Sequence, residues 1–129
     1  MHLIIDGYVA NCEKLQDEKF ILHILETYPE KIGMVKISSP YVLRYMGKNP
    51  KEWGLSGFVL IAESHISIHT FPEYSFVNID VFSCKDFEPE RVVEDIKNYF
   101  ELKEMRTYII DRGLDVYEGI GEIKAGKEK

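Results

Sequence analysis

The chain has little of what marks secreted, membrane or nucleic-acid-binding proteins. Only two cysteines, Cys12 and Cys84, occur in 129 residues. Without an export signal, a structural disulfide between them is not expected, and each reads as a buried or a reactive thiol. Basic residues are the minority, 16 Lys and Arg against 22 Asp and Glu. That balance argues against a nucleic-acid partner. The one basic run, Lys124 to Lys129, is mixed in sign and reads as a solvated terminus. No apolar run approaches the roughly 20 residues of a membrane span. The N-terminal one breaks at Asp6 and does not resemble a signal peptide. The cytoplasm is therefore the expected location. Internal repeats and low-complexity segments are absent as well.

What is present fits a single globular domain spanning 1–129. Hydrophobic residues make up 45% and charged residues 29%, enough apolar surface for a sizeable core. Residues 2–10 are β-prone and read as a first strand. From Cys12 to about Tyr28 the period is helical, with Ile21, Ile24, Leu25 and Tyr28 on one stripe. Pro29 is expected to end this helix, with Gly33 following. Met34–Ser38 is a short strand candidate.

Residues 39–55 are expected to be irregular, since Pro40, Gly47, Pro50 and Gly54 break any period. The segment nevertheless holds Tyr41, Tyr45 and Trp53. It reads either as a functional lid or as a loop folded back on the core. Gly57–Ala62, His65–Thr70 and Ser75–Cys84 read as three further strands. In the last, Phe76, Asn78, Asp80 and Phe82 share one face. A second helix starts near Pro89, with a stripe of Val92, Ile96, Tyr99 and Phe100. Met105–Ile110 closes the order β-α-β-β-β-β-α-β. The pattern predicts an α+β two-layer sandwich, a mainly antiparallel sheet with two helices on one face. The other sheet face has no cover in this chain. If it is apolar, it suggests a partner subunit.

The densest chemistry lies in Glu63-Ser64-His65-Ile66-Ser67-Ile68-His69-Thr70-Phe71-Pro72-Glu73. Two serines, two histidines and two glutamates fall within eleven residues. A strand needs no such density of polar groups, and burying them unpaired costs free energy. Strand alternation puts Glu63, His65, Ser67 and His69 on one face and Ser64, Ile66 and Ile68 on the other. A zinc site on His65 and His69 would take Glu63 or Glu73 as a third ligand. The spacing permits this without demanding it, and no metal is expected. A hydrolytic triad of Ser64, a histidine and Asp80 can be written down. Ser64 lacks, however, the G-x-S-x-G turn that exposes one common class of nucleophile.

The run ESHISIHTFPE followed by NIDVFSC resembles the pyruvoyl-dependent S-adenosylmethionine decarboxylases of the short bacterial and archaeal type. GLSGFVLIAESH, upstream, and HLIIDGYVANC, at the N-terminus, extend the resemblance over most of the chain. E-S-H, I-H-T-x-P-E and D-x-F-x-C together at these spacings are far more specific than a lone motif. This chain departs from the family pattern at Phe71, where tryptophan is frequent, at Ser75, where glycine is frequent, and in the KNPKEW loop.

The resemblance implies a proenzyme that cuts itself between Glu63 and Ser64, giving chains 1–63 and 64–129. The Ser64 hydroxyl attacks the preceding carbonyl to form an ester. Elimination and hydrolysis then leave a pyruvoyl cofactor made from Ser64. Its carbonyl forms a Schiff base with the substrate amine and acts as the electron sink for decarboxylation. By the same resemblance, His69 handles the proton in ester elimination and Ser56 hydrogen-bonds the cleavage intermediate. Cys84 returns a proton to the product carbon, and Glu73 holds the ribose hydroxyls. The implied activity is decarboxylation of S-adenosylmethionine for spermidine synthesis, by a homodimer of processed protomers with its sites near the interface. Tyr45 and Trp53 are candidates for the aromatic that stacks on adenine.

Each of these residues also has an ordinary structural explanation. Ser64 could be a strand-end serine, His69 a sheet histidine, Cys84 a small buried hydrophobe, Glu73 a turn carboxylate and Ser56 a loop serine. His65 gains no distinct chemical role from the motif. Two other functions compete with the first. One is a paralogous pyruvoyl-dependent arginine or ornithine decarboxylase. The other is an uncleaved, non-enzymatic binding homologue.

Overall fold

The computed structural model describes residues 1–111. The solvated terminus expected at Lys124 to Lys129 lies outside the described residues. Strand β1 (His2–Val9) leads through a 3-10 turn (Cys12–Gln16) into helix α1 (Glu18–Lys31). Strands β2 (Tyr41–Met46), β3 (Trp53–Ile61) and β4 (Ser64–Phe71) follow, then a 3-10 turn (Pro72–Tyr74) and β5 (Phe76–Ser83). Helix α2 (Pro89–Phe100) and strand β6 (Leu102–Ile110) complete the fold. The strands form one sheet in the order β2-β3-β4-β5-β1-β6, with every pairing antiparallel. This is the α+β two-layer sandwich expected from the sequence.

Alternation decides the layers. Leu3, Ile5, Leu55, Val59, Ile61, Ile66, Ile68, Val77, Ile79 and Val81 all point to one face and are buried. Helix α1 lies over β2, β3 and β4 on that face, and α2 lies over β1 and β6. Each buried aliphatic side chain contributes about 1.5–3 kcal/mol of transfer free energy. On the opposite face Phe58 and Leu60 are 42% and 41% exposed, and Tyr8, Tyr41, Tyr45 and Phe71 are exposed too. This face has no helix over it. Exposed apolar groups thus stand among the polar ones on the face without helices.

Four local expectations need correction. Met34–Ser38 is not a strand and contributes only an isolated bridge between Lys36 and Ile61. The strand lies further on, at Tyr41–Met46, inside the segment expected to be irregular. Pro40 and Gly47 flank this run rather than interrupt it, and as an edge strand it is mostly exposed, so it carries no burial alternation. Pro29 does not end the first helix but falls within its last turn. A proline loses its own hydrogen bond to the preceding turn and crowds the carbonyl four residues back, but its own carbonyl and those after it can still accept. The Tyr28 carbonyl still accepts from Ile32, the Pro29 carbonyl from Ile32 and Met34, and the Glu30 carbonyl from Gly33. Gly33, at φ +78°, ends the helix. The helix also starts later than expected, because the Asp17 carboxylate caps it by accepting from the Phe20 N–H at 3.1 Å.

Candidate active site

Strand β4 runs from a tight hairpin at one end of the sheet to the Pro72–Tyr74 turn at the other. Candidate residues collect at both ends. At the hairpin Ile61 pairs with Ser64, and Ala62 and Glu63 make the turn, with a cis peptide between them. The Ser64 hydroxyl lies against the Glu63 carbonyl oxygen. Its Oγ is 3.7 Å from Cys84 Sγ. Register explains that contact, since Ser64 stands opposite Ser83, the last residue of β5. Cys84 is exposed, so it is not a small buried hydrophobe. The Ser64 hydroxyl therefore stands beside the carbonyl of the preceding peptide bond, the group whose carbon an acyl shift from nitrogen to oxygen would attack.

At the far end Ser56 and His69 are direct partners across β3 and β4, with Oγ 2.9 Å from Nδ1. Asn78 stands opposite His69 on the other side, in β5. Ser56 is a strand residue rather than a loop serine. Ser56 and His69 project from the face without helices and line a cleft of about 280 Å³ with Tyr45, Trp53, Phe71 and Tyr74. Thr70 braces the cleft from behind and is 2% exposed. Its hydroxyl accepts from the Leu55 N–H at 2.9 Å and donates to the Leu15 carbonyl at 2.8 Å. A Cβ at Gly54 would collide with the Thr70 carbonyl, so only glycine allows this close approach of β3 and β4. Glu73 sits in the short turn, outside the cleft wall, and accepts from Trp53 Nε1 at 3.3 Å.

The two clusters do not meet within one chain. Five residues of extended strand, about 17 Å, separate Ser64 from His69. His65 and His69 are about 13 Å apart on the same strand, too far to share an ion. Among the described residues no group of three or more His, Cys, Asp and Glu is arranged to hold a metal. The triad does not assemble either. Asp80 Oδ1 is 2.8 Å from His2 Nε2 and stands opposite Ser67 rather than Ser64. His65 packs edge-on against Phe82, with centroids 5.7 Å apart, which accounts for it structurally. Near the His2–Asp80 pair, burial and then the Asp80 charge push the Asp6 carboxyl above its ordinary value, with Arg106 opposing.

Tyr74 and Arg44 carry no motif signal that marks them as part of this region. Tyr74 lines the cleft beside the motif residue Phe71, and Arg44 reaches Trp53 from a neighbouring strand. Only tertiary contact could have identified them.

The S-adenosylmethionine decarboxylase family matches residues 1–113 of the chain. The S-adenosylmethionine decarboxylase proenzyme of Archaeoglobus fulgidus is 36% identical over 113 residues, covering 87% of this chain and 96% of the relative. The proenzyme of a Hydrogenobaculum species is 36% identical over 115 residues, covering 88% and 81%. Among solved structures, the adenosylmethionine decarboxylase of Aquifex aeolicus is similar, with a TM-score of 0.72 at 29% identity. That likeness covers 88% of this chain and 89% of the other.

Proposed function

The chain belongs to the S-adenosylmethionine decarboxylase family, and from that premise we propose a self-processing, pyruvoyl-dependent enzyme. It releases carbon dioxide from S-adenosylmethionine and leaves an aminopropyl donor for spermidine synthesis. One observation carries the reading. Ser64 sits at a hairpin with its hydroxyl against the Glu63 carbonyl and the Cys84 thiol beside it. Those residues fit a serine-derived carbonyl cofactor: a precursor, a preceding carbonyl to attack and an adjacent proton donor.

In processing, Ser64 Oγ adds to the Glu63 carbonyl carbon and the Glu63–Ser64 C–N bond breaks. An ester replaces the amide and the Ser64 amine is released. Loss of the Ser64 α-proton then expels the Glu63 carboxylate from the β-carbon. Water adds at the α-carbon, ammonia leaves, and a ketone remains at the new N-terminus of chain 64–129. That pyruvoyl carbonyl supplies the electron sink that decarboxylation of an amino acid needs. Cys84, beside the same position, returns a proton to the product carbon.

His69 and Ser56 serve this chemistry from a second copy of the chain. With Nδ1 bonded to Ser56, Nε2 is the imidazole nitrogen that takes the α-proton. The 17 Å or so between the half-sites forbids this within one chain. A two-fold axis lying across the strands packs the two open faces together and sets β4 antiparallel to its copy. Ser64 and Cys84 of one protomer then approach Ser56, His69 and the aromatic cleft of the other. The exposed Phe58 and Leu60 are covered in the same step. Glu73, at the rim, keeps acceptor capacity for a ribose diol beside its bond to Trp53.

The test combines mass and assay. Purified protein should resolve into two chains, while Ser64→Ala stays at 15.0 kDa. Only the cut form should react with hydrazine and release carbon dioxide from S-adenosylmethionine. Faster release from arginine or ornithine would replace the substrate. An uncut chain without a reactive carbonyl would point to a binding homologue.

A further inference from the structure

Strand β3 outruns its neighbour on one side. Its pairing with β2 stops at Tyr41 and Phe58, yet β3 continues to Ile61. A strand edge left this way presents unpaired main-chain groups. Segment 35–38 supplies their partners. The Ala62 N–H donates to the Val35 carbonyl at 2.8 Å, and the Ile37 N–H donates to the Leu60 carbonyl at 3.0 Å. Between these two bonds Lys36 bridges Ile61. The Leu60 N–H, on the same edge, is accepted by a side chain instead, Ser38 Oγ at 3.1 Å. A bulge explains the exchange. Between the Ile37–Leu60 bond and the Tyr41–Phe58 pair, Ser38, Ser39 and Pro40 stand against Val59 alone. The main-chain ladder is out of step there, and a hydroxyl takes the acceptor's place.

Val35 and Ile37 are each 63% exposed, so the hold of this segment on β3 comes from hydrogen bonds and not from buried side chains. The segment is anchored in turn to the helix layer, with Lys36 Nζ 2.7 Å from Glu26 Oε1 in α1. Its bonds end one residue short of Glu63. Ala62, the last residue held, and Glu63 make the whole hairpin turn, and Ser64 follows in register with Ile61 and Ser83. Attack within one chain depends on how the two reacting groups are oriented before they meet. The β4–β5 register fixes the hydroxyl side of the Glu63–Ser64 bond. On the edge of β3 away from β4, segment 35–38 is the hold nearest its acyl side.

We propose that segment 35–38 is a positioning clamp for self-cleavage, with Ser38 supplying its side-chain bond to β3. The clamp orients the Glu63 carbonyl toward Ser64 Oγ and takes no part in decarboxylation. This deepens the reading of Ser64 as the cut site and rests on it. The clamp belongs to chain 1–63. The cofactor made from Ser64 belongs to chain 64–129, where β4 pairs with β5. Loss of the clamp therefore slows cutting and spares the turnover of protein already cut.

The full chain is made by cell-free synthesis, and its conversion into chains 1–63 and 64–129 is timed on denaturing gels. Ser38→Ala should cut about two- to tenfold more slowly than wild type, the scale of one hydrogen bond. Ser38→Thr keeps a hydroxyl and should recover most of the rate. Tyr28→Phe controls for stability, because it removes a hydrogen bond of the helix layer, from Tyr28 Oη to Asp95 Oδ2 at 2.8 Å. It should cut at the wild-type rate. Once fully cut, the Ser38→Ala enzyme should release carbon dioxide from S-adenosylmethionine with the kcat of wild type.

Cutting of Ser38→Ala at the wild-type rate would overturn the proposal. So would a Ser38→Thr chain as slow as Ser38→Ala, or equal slowing in Tyr28→Phe, which would trace the effect to stability. A matching fall in kcat of the cut Ser38→Ala enzyme would overturn it too. If the wild-type chain stayed whole, the reading of Ser64 as the cut site would fall, and this inference with it.

Discussion

Ser64 and His69 lie on the same strand, five residues and about 17 Å apart, so the imidazole cannot reach the serine of its own chain. Mixing two inactive chains exposes the consequence. His69→Ala alone should not cut itself, and neither should Ser64→Ala. In a co-expressed heterodimer, the His69→Ala chain keeps Ser64 and borrows His69 from its partner. That chain should then split, as read by intact mass. If proven heterodimers left it whole, the composite site would be wrong.

Cys84 separates the two halves of the chemistry. Its thiol is near the serine position but outside the Ser56–His69 pair. Cys84→Ala should still yield two chains on a denaturing gel. Its kcat for carbon dioxide release should drop about 10²–10⁴-fold, the usual weight of a positioned proton donor. Full turnover in a cleanly cut variant would remove Cys84 from the reaction.

Ser75 has a left-handed backbone, with φ 52°, where family members frequently carry glycine. A side chain there costs roughly 1–2 kcal/mol, and glycine returns about 0.5–1 kcal/mol of that through a floppier unfolded chain. Ser75→Gly should therefore gain about 0.5–1 kcal/mol in denaturant unfolding. A variant less stable than the parent would contradict the strain argument.

Asp6 supplies a pH dependence. Burial and then Asp80 raise its carboxyl pKa, with Arg106 opposing. The fold therefore holds this proton more tightly than the unfolded chain does. Its contribution is complete below the unfolded value of about 3.9 and is lost as pH rises through the folded value. Ionised Asp6 thus opposes folding at neutral pH. Asp6→Asn should melt above wild type near neutrality, with the difference closing on acidification toward about pH 4. Thermal melts across pH decide it, and a gap that widens in acid would refute the assignment.

Much of this architecture was legible along the chain. Alternation in Phe76–Ser83 and the α2 stripe of Val92, Ile96 and Phe100 depend on local periodicity, which burial on one face imposes directly. The strand at Tyr41–Met46 escaped because an exposed edge strand has no such imprint. Pro29 misled because a proline removes one donor while the carbonyls of Tyr28, Pro29 and Glu30 stay bonded, so the chain completes the turn before Gly33. Ser56, Ser64, His69, Glu73 and Cys84 could be named because their spacing is linear information. That His69 and Ser64 stand far apart could not, since residues close in sequence separate once the strand is extended.

The layers, the two helices and the candidate reactive side chains were set by sequence alone, because periodicity and motif spacing are written residue by residue. Tertiary structure alone decided which of those side chains meet. Strand register set Ser64 against Cys84 and Ser56 against His69, then held the two pairs at opposite ends of β4. It also drew Glu18, Arg44, Trp53 and Glu73 into one line of contacts across three elements and a turn. The reason is physical: an extended strand adds about 3.3 Å per residue along the chain, whereas hydrogen-bonded neighbours sit about 4.8 Å apart however distant they are in sequence.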